Sequence, residues 1–124
     1  MHMETEKLEN YLLTYRKKSE LAQRDVAFLL GCASGAKVSK YERFRRIPTL
    51  PAVFAYETIL GKPARVLFAG MHERIERKTL ERVRLLAERL GARQAHPAVT
   101  RKVLRLQLLI SGAEQRRREP VPHP

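Results

Sequence analysis

Gly31 separates two short amphipathic segments, and this interruption constrains the fold more than any other feature of the chain. Before it, Gln23-Arg24-Asp25-Val26-Ala27-Phe28-Leu29-Leu30 follows Ala22. Ala22, Val26, Leu29 and Leu30 then stand at i, i+4, i+7 and i+8, the repeat of one helical face. A glycine after such a run takes the left-handed conformation that closes a helix. Beyond it, Ser34 is an N-cap for a second helix reaching Glu42 or Arg43, with Val38 and Tyr41 turned inward. The opposite face is Gly35, Ala36, Lys37, Ser39 and Lys40, small or basic side chains that let a helix approach a groove closely. From Lys37 to Arg46 there are five Lys or Arg against one Glu, where a merely solvated helix mixes its signs.

The flanks are also helical. Leu8, Tyr11, Leu12 and Tyr15 share a face of a first helix expected from Glu4 to Lys18. Thr49 is an N-cap for a fourth helix, with Leu50, Val53, Ala55, Tyr56, Ile59 and Leu60 as its apolar surface and Gly61 as its terminator. Pro63 opens a short helix through Phe68, which Gly70 ends. No stretch alternates polar and apolar residues long enough for a sheet. The expected fold is therefore all-α, with five short helices around one core and a two-helix C-terminal extension.

In that extension, residues 71–90 place Ile75, Thr79, Val83, Leu86 and Leu90 on one stripe, with Glu73 and Arg77 as an i,i+4 ion pair. Gly91 terminates this helix. His96-Pro97 opens another, in which Val99, Val103, Leu106 and Ile110 repeat the stripe beside Leu104, Leu108 and Leu109. Two readings stand. The helices fold back on the preceding core as a helical hairpin. Alternatively, Ile75, Val83, Leu86, Leu90, Val99, Val103, Leu106 and Ile110 meet their counterparts in a second subunit, since two-fold dimers are the commonest oligomers. The expected organisation is a domain over 1–70, a hairpin over 71–112 and a disordered basic tail over 113–124 that carries Arg116-Arg117-Arg118.

The formal net charge of +12 favours a polyanionic partner: DNA, RNA, ribosome or an anionic membrane surface. Both parts are cationic, with 12 Lys or Arg against 7 Asp or Glu over 1–70 and 13 against 6 over 71–124. Cys32 is the only cysteine, so no intrachain disulfide can form and a reducing cytoplasm is expected. It is read as a small buried residue at the turn. No signal peptide is read, no apolar run reaches the roughly 20 residues that span a bilayer, and no membrane or small-molecule partner is expected.

From about Leu8 to Gly70 the chain resembles a helix-turn-helix domain of the Cro/C1 repressor type, the XRE family. The resemblance rests on an apolar helix with Arg16, then Leu21-Ala22-Gln23, Leu29-Leu30-Gly31, Val38-Ser39-Lys40-Tyr41-Glu42-Arg43, Pro48-Thr49-Leu50 and Leu60-Gly61 before a short helix through Leu67-Phe68. It covers about half the chain. It implies a regulator of transcription that binds double-stranded DNA, commonly as a homodimer on paired half-sites. It implies that Gln23 bonds a phosphate, that Arg16 pairs with Glu42, and that the exposed start of the second helix reads the major groove. The base-reading set is then Gly35, Ala36, Lys37, Ser39 and Lys40, and the phosphate-binding set Gln23, Arg43, Arg45 and Arg46.

Three departures bear on that expectation. The interval from Gly31 to Val38 is one residue longer than the family spacing, so Cys32-Ala33-Ser34-Gly35 is an enlarged turn that shifts which side chains enter the groove. Ala22 replaces the usual Ser or Thr cap, a loss of about 0.5–2 kcal/mol. Phe44 stands where a glycine often closes the recognition helix. Because a bulky residue is strained in the left-handed region, the chain is expected to leave by another route, with Phe44 against the domain or a DNA sugar edge.

Catalysis finds little support. His2, His72, His96 and His123 share no metal-ligand spacing with one another or with Cys32, and no phosphate-binding glycine loop or nucleophile motif occurs. No cofactor or metal is expected. Ser34 and Ser39 suit capping or phosphate contact. Two competing readings come from other classes: an RNA- or ribosome-associated basic protein, and an antitoxin-like regulator whose C-terminal helices bind a protein partner.

Overall fold

The computed structural model describes residues 7–93, 96–119 and 124. Among the described residues it is all-helical, with seven helices and no strand. They are α1 (Leu12–Lys18), α2 (Gln23–Leu30), α3 (Ala36–Glu42), α4 (Leu50–Leu60), α5 (Ala64–Leu67), α6 (Ala69–Gly91) and α7 (Pro97–Arg118). None is long and apolar enough to cross a membrane. The chain divides into two compact units, one up to His72 and one from Glu73.

In the first unit, Leu12, Val26, Val38, Tyr41, Tyr56 and Leu67 are fully buried. The Tyr41 and Tyr56 rings meet edge to face with centroids 6.3 Å apart, the arrangement their quadrupoles favour. Helix α1 begins eight residues later than expected. Asn10 is the reason: its Oδ1 accepts the Leu12 amide at 3.0 Å and its Nδ2 donates to the Tyr41 carbonyl at 2.9 Å. The preceding backbone is extended against α5 and the start of α6, with the Tyr11 amide donating to Leu67 O and the Leu8 and Glu9 carbonyls accepting from Gly70 and Met71. Leu8 is consequently exposed rather than core, and the expected start near Glu4 lies outside the described residues. Gly70 does not end a helix. It lies inside α6, where a Cβ would overlap the Leu8 carbonyl.

Three successive helices close by the same device. At the end of α2 the Cys32 amide donates to Ala27 O and the Gly31 amide to Phe28 O, with Gly31 at φ 78°. This pair of bonds is a Schellman motif, which satisfies carbonyls the helix leaves open. Helix α1 closes likewise through Leu21 N to Arg16 O and Glu20 N to Lys17 O, with Glu20 at φ 60°. Helix α3 closes through Arg45 N to Lys40 O and Phe44 N to Tyr41 O, with Phe44 at φ 62°. The expectation that Phe44 would force another exit is therefore corrected. The residue takes the glycine position itself, and two carbonyl bonds offset the clash of its Cβ.

Helix α4 is capped by Thr49, whose hydroxyl accepts the Ala52 amide at 3.3 Å, and ends at Gly61 in the left-handed region. Glu57 extends its carboxylate to the Ala64 amide at 2.7 Å, capping α5 from α4.

In the second unit α6 and α7 form an antiparallel hairpin. Arg117 reaches Glu76 at 3.5 Å near one end, while Leu90, Val99 and Val103 line one cleft near the other. Alternate spacings of three and four bring Leu80, Val83, Ala87 and Leu90 to one face of α6. Val99, Val103, Leu106, Ile110 and Ala113 occupy the matching face of α7, with Ala113 fully buried. His96 caps α7 by accepting the Ala98 amide on Nδ1 at 3.2 Å. The tail expected from residue 113 is helical to Arg118, because burial of Ala113 and the Arg117–Glu76 pair carry the helix past Ser111-Gly112. Residues 120–123 of that tail lie outside the described residues.

Candidate nucleic-acid interface

The turn before α3 packs against the start of α2 at Gly35. A Cβ at Gly35 would stand 3.5 Å from Gln23 Cβ and 3.7 Å from the Arg24 amide nitrogen. Gly35 therefore faces α2 and not a groove, correcting its place in the base-reading set. Helix α3 runs from Ala36, preceded by Gly35 in helical dihedrals, and Ser34 Oγ accepts the Ala36 amide at 3.4 Å. Val38, Tyr41 and Glu42 point inward. The helical repeat then directs Ala36, Lys37 and Lys40 outward, with Lys40 exposed and Lys37 half-buried.

Ser39 is engaged within its own helix. Its hydroxyl accepts from Arg43 Nη2 at 2.8 Å and Nε at 3.1 Å. This i,i+4 pair holds the Arg43 guanidinium along α3. Arg45 and Arg46 follow, both exposed. The cationic surface is thus Lys37, Lys40, Arg43, Arg45 and Arg46, on one helix and the strap that leaves it.

Beneath this surface lies an ionic network. Arg16 donates through Nε to Glu42 Oε2 at 2.6 Å and through Nη2 to Oε1 at 3.1 Å, and its Nη1 bonds the Leu21 carbonyl at 2.9 Å. The structure thus brings Arg16 and Glu42 together, although 26 residues separate them. The hydrogen bond to Glu42 raises the Arg16 guanidinium above its ordinary value. Gln23 belongs to the same network, its Nε2 donating to Glu42 Oε1 at 3.0 Å. One N–H of that amide remains for an anion, so Gln23 is half-committed to the protein interior rather than free on the surface. Ala22 is uncapped by its own side chain, but Asp25 Oδ2 accepts the Ala22 amide at 2.8 Å and fixes the start of α2 from within.

Tyr56, next to this network, is buried with its hydroxyl unpartnered among the described residues. Burial pushes its phenol well above the usual tyrosine range, with a further rise from the Glu42 charge. Cys32 is half-buried at the turn rather than enclosed. Leu29, placed inward by the periodicity, is exposed, since α2 turns Val26 and Ala27 to the core instead.

In the hairpin, six of the eight residues assigned to dimerisation occupy the facing sides of α6 and α7: Val83, Leu90, Val99, Val103, Leu106 and Ile110. Leu90 is buried and the other five are partly buried, with Leu90, Val99 and Val103 lining one cleft. Ile75 and Leu86 are exposed, as are Leu85, Leu104, Leu108 and Leu109 on the outer faces.

Asn10 was legible only as a polar residue before an apolar run; its bond to the Tyr41 carbonyl, 31 residues away, has no local signal. Among the described residues no group of His, Cys, Asp and Glu is arranged to hold a metal ion. No family model, curated protein or solved structure matches this chain.

Proposed function

We propose that this chain is a sequence-specific DNA-binding regulator of transcription, of the Cro/C1 helix-turn-helix type, that represses by occupying an operator. One observation carries the reading. Helix α2 is tied to α3 by the Gln23–Glu42 bond, with Gly35 turned toward α2, and the outer face of α3 offers Lys37 and Lys40 beside the Arg43, Arg45 and Arg46 strap. A rigid helix with small and basic outward residues suits the major groove, and a basic exit strap suits the flanking phosphates. The Arg16–Glu42 pair supports the reading by fixing the end of α3 against α1.

Lys37 and Lys40 are the donors to guanine O6 or N7, Ala36 lets the backbone approach, and Arg43, Arg45, Arg46 and the remaining Gln23 N–H hold phosphates. The same reading takes the protein as a two-fold dimer, with exposed Ile75, Leu86, Leu104 and Leu108 on the outer faces of the hairpin available to a second copy.

The test is selection of bound sequences from a random duplex pool at near-physiological salt, beside random RNA. Enrichment of one short motif supports a specific regulator. Equal retention of random duplex, or preference for RNA, overturns it in favour of a general or RNA-associated basic protein.

A further inference from the structure

Phe44 presents a contradiction. A non-glycine residue in the left-handed region costs roughly 1–2 kcal/mol, and a large apolar side chain normally repays an awkward backbone by being buried. Phe44 has φ 62° and yet is 49% exposed. The two Schellman bonds closing α3 fix the direction of its Cα–Cβ bond. Its neighbours Arg43, Arg45 and Arg46 are all exposed, and Ile47, which completes the strap, is 67% exposed. At Glu20 the same motif carries a polar residue that solvent accommodates. At Phe44 it holds a half-exposed ring in a segment whose arginines, Arg43, Arg45 and Arg46, are all exposed.

Resting on the DNA-binding reading above, we infer that Phe44 is a DNA-contact residue, its ring seated on the apolar face of a deoxyribose between the phosphates that Arg45 and Arg46 hold. Arginines alone supply attraction that decays with salt. A ring on the sugar adds contact area that salt does not screen, and it fixes how far along the backbone the strap sits. Ile47 extends the same apolar edge. Because the helix end is closed by backbone bonds, the ring is placed before DNA arrives, with little ordering left to do on binding.

The experiment compares full-length wild type with F44G, F44A and E20G on a duplex taken from the selection. Both glycine variants remove left-handed strain and are expected to melt at or above the wild-type temperature. F44G and F44A should lose roughly tenfold in affinity, on the scale of apolar area removed from contact. Their slope of log K against log salt should be unchanged, whereas E20G should bind at least as well as wild type. The chain has no tryptophan, so F44W supplies one tryptophan emission, excited selectively over the tyrosines, that should shift and become shielded from iodide on adding the duplex. A lower melting temperature for F44G makes the ring a packing element and overturns the inference. So does wild-type affinity in F44G and F44A on an enriched duplex, which leaves the DNA reading intact. Failure of the wild type to enrich any duplex overturns both.

Discussion

Arg16 and Glu42 form a two-pronged pair, Nε to Oε2 at 2.6 Å and Nη2 to Oε1 at 3.1 Å, with the Arg16 side chain 12% and the Glu42 side chain 2% exposed. The pair joins the middle of α1 to the last turn of α3, and Gln23 shares the same carboxylate from the start of α2. Three helices are therefore pinned at one carboxyl group. Removal of one partner strands the other without its charge. Arg16→Ala is expected to cost about 3–5 kcal/mol, read as a lowered urea midpoint, and Arg16→Lys to recover only part because an ammonium cannot bind both oxygens in the plane. Wild-type stability in Arg16→Ala would show the pair to be idle.

Base reading and phosphate holding separate by salt. Lys37→Ala or Lys40→Ala should change preference at one base pair by about 1–3 kcal/mol. Arg45→Ala should weaken all duplexes alike and flatten the salt dependence. Lysine variants that altered only the salt slope would remove α3 from the base-reading role.

Tyr56 carries a hydroxyl that is buried and unpartnered among the described residues. Tyr56→Phe keeps the ring against Tyr41 and removes that oxygen, so it should be neutral or stabilise by up to about 1 kcal/mol. The pH response has a definite sign. The folded-state phenol titrates above the unfolded one because burial disfavours the phenolate. The stability it confers is complete below the unfolded value near 10 and is lost as pH rises toward the folded value. Denaturant midpoints measured from pH 8 to 12 should fall less steeply in Tyr56→Phe, and parallel curves would contradict this.

One substitution at two glycines should have opposite effects. At Gly70 a methyl group meets the Leu8 carbonyl, which is itself bonded to the Gly70 amide and cannot yield freely. Gly70→Ala should destabilise by about 1–3 kcal/mol. At Gly112, inside α7, the nearest atom is the flexible end of Arg116 at 3.5 Å. Gly112→Ala should stabilise by up to about 1 kcal/mol through helix propensity alone. Thermal melts of both variants decide it.

The hairpin separates packing from association. Leu86→Glu with Leu104→Glu alters exposed positions and should lower the mass in solution to that of one chain while helicity by circular dichroism stays constant. Val83→Ala or Leu106→Ala should instead lower the melting temperature. A mass unaffected by the double variant, or already that of one chain in the wild type, would exclude the outer leucines as a dimer contact.

What was legible in the sequence is what local chemistry dictates. Gln23–Leu30 closed by Gly31, Leu50–Leu60 opened by Thr49 and closed by Gly61, and the start of α7 at His96-Pro97 all stand where periodicity, caps and glycines place them. Helix boundaries failed where a distant group intervened. Asn10 halts α1 by bonding across to α3, and Ala113 with Arg117 draws α7 past the point where apolar residues run out.

By itself, the sequence determined an all-helical chain, the pair of helices around Gly31 and the cationic run from Lys37 to Arg46, because propensity, capping and charge act over a few residues. Only the tertiary structure decided which of those side chains are free. It turned Gly35 toward α2, bound Gln23 to Glu42, left the second apolar stripe only partly buried and held Phe44 half-exposed in a left-handed turn. Each of these depends on what lies across the fold rather than along the chain, since burial and hydrogen-bond satisfaction are settled by spatial neighbours.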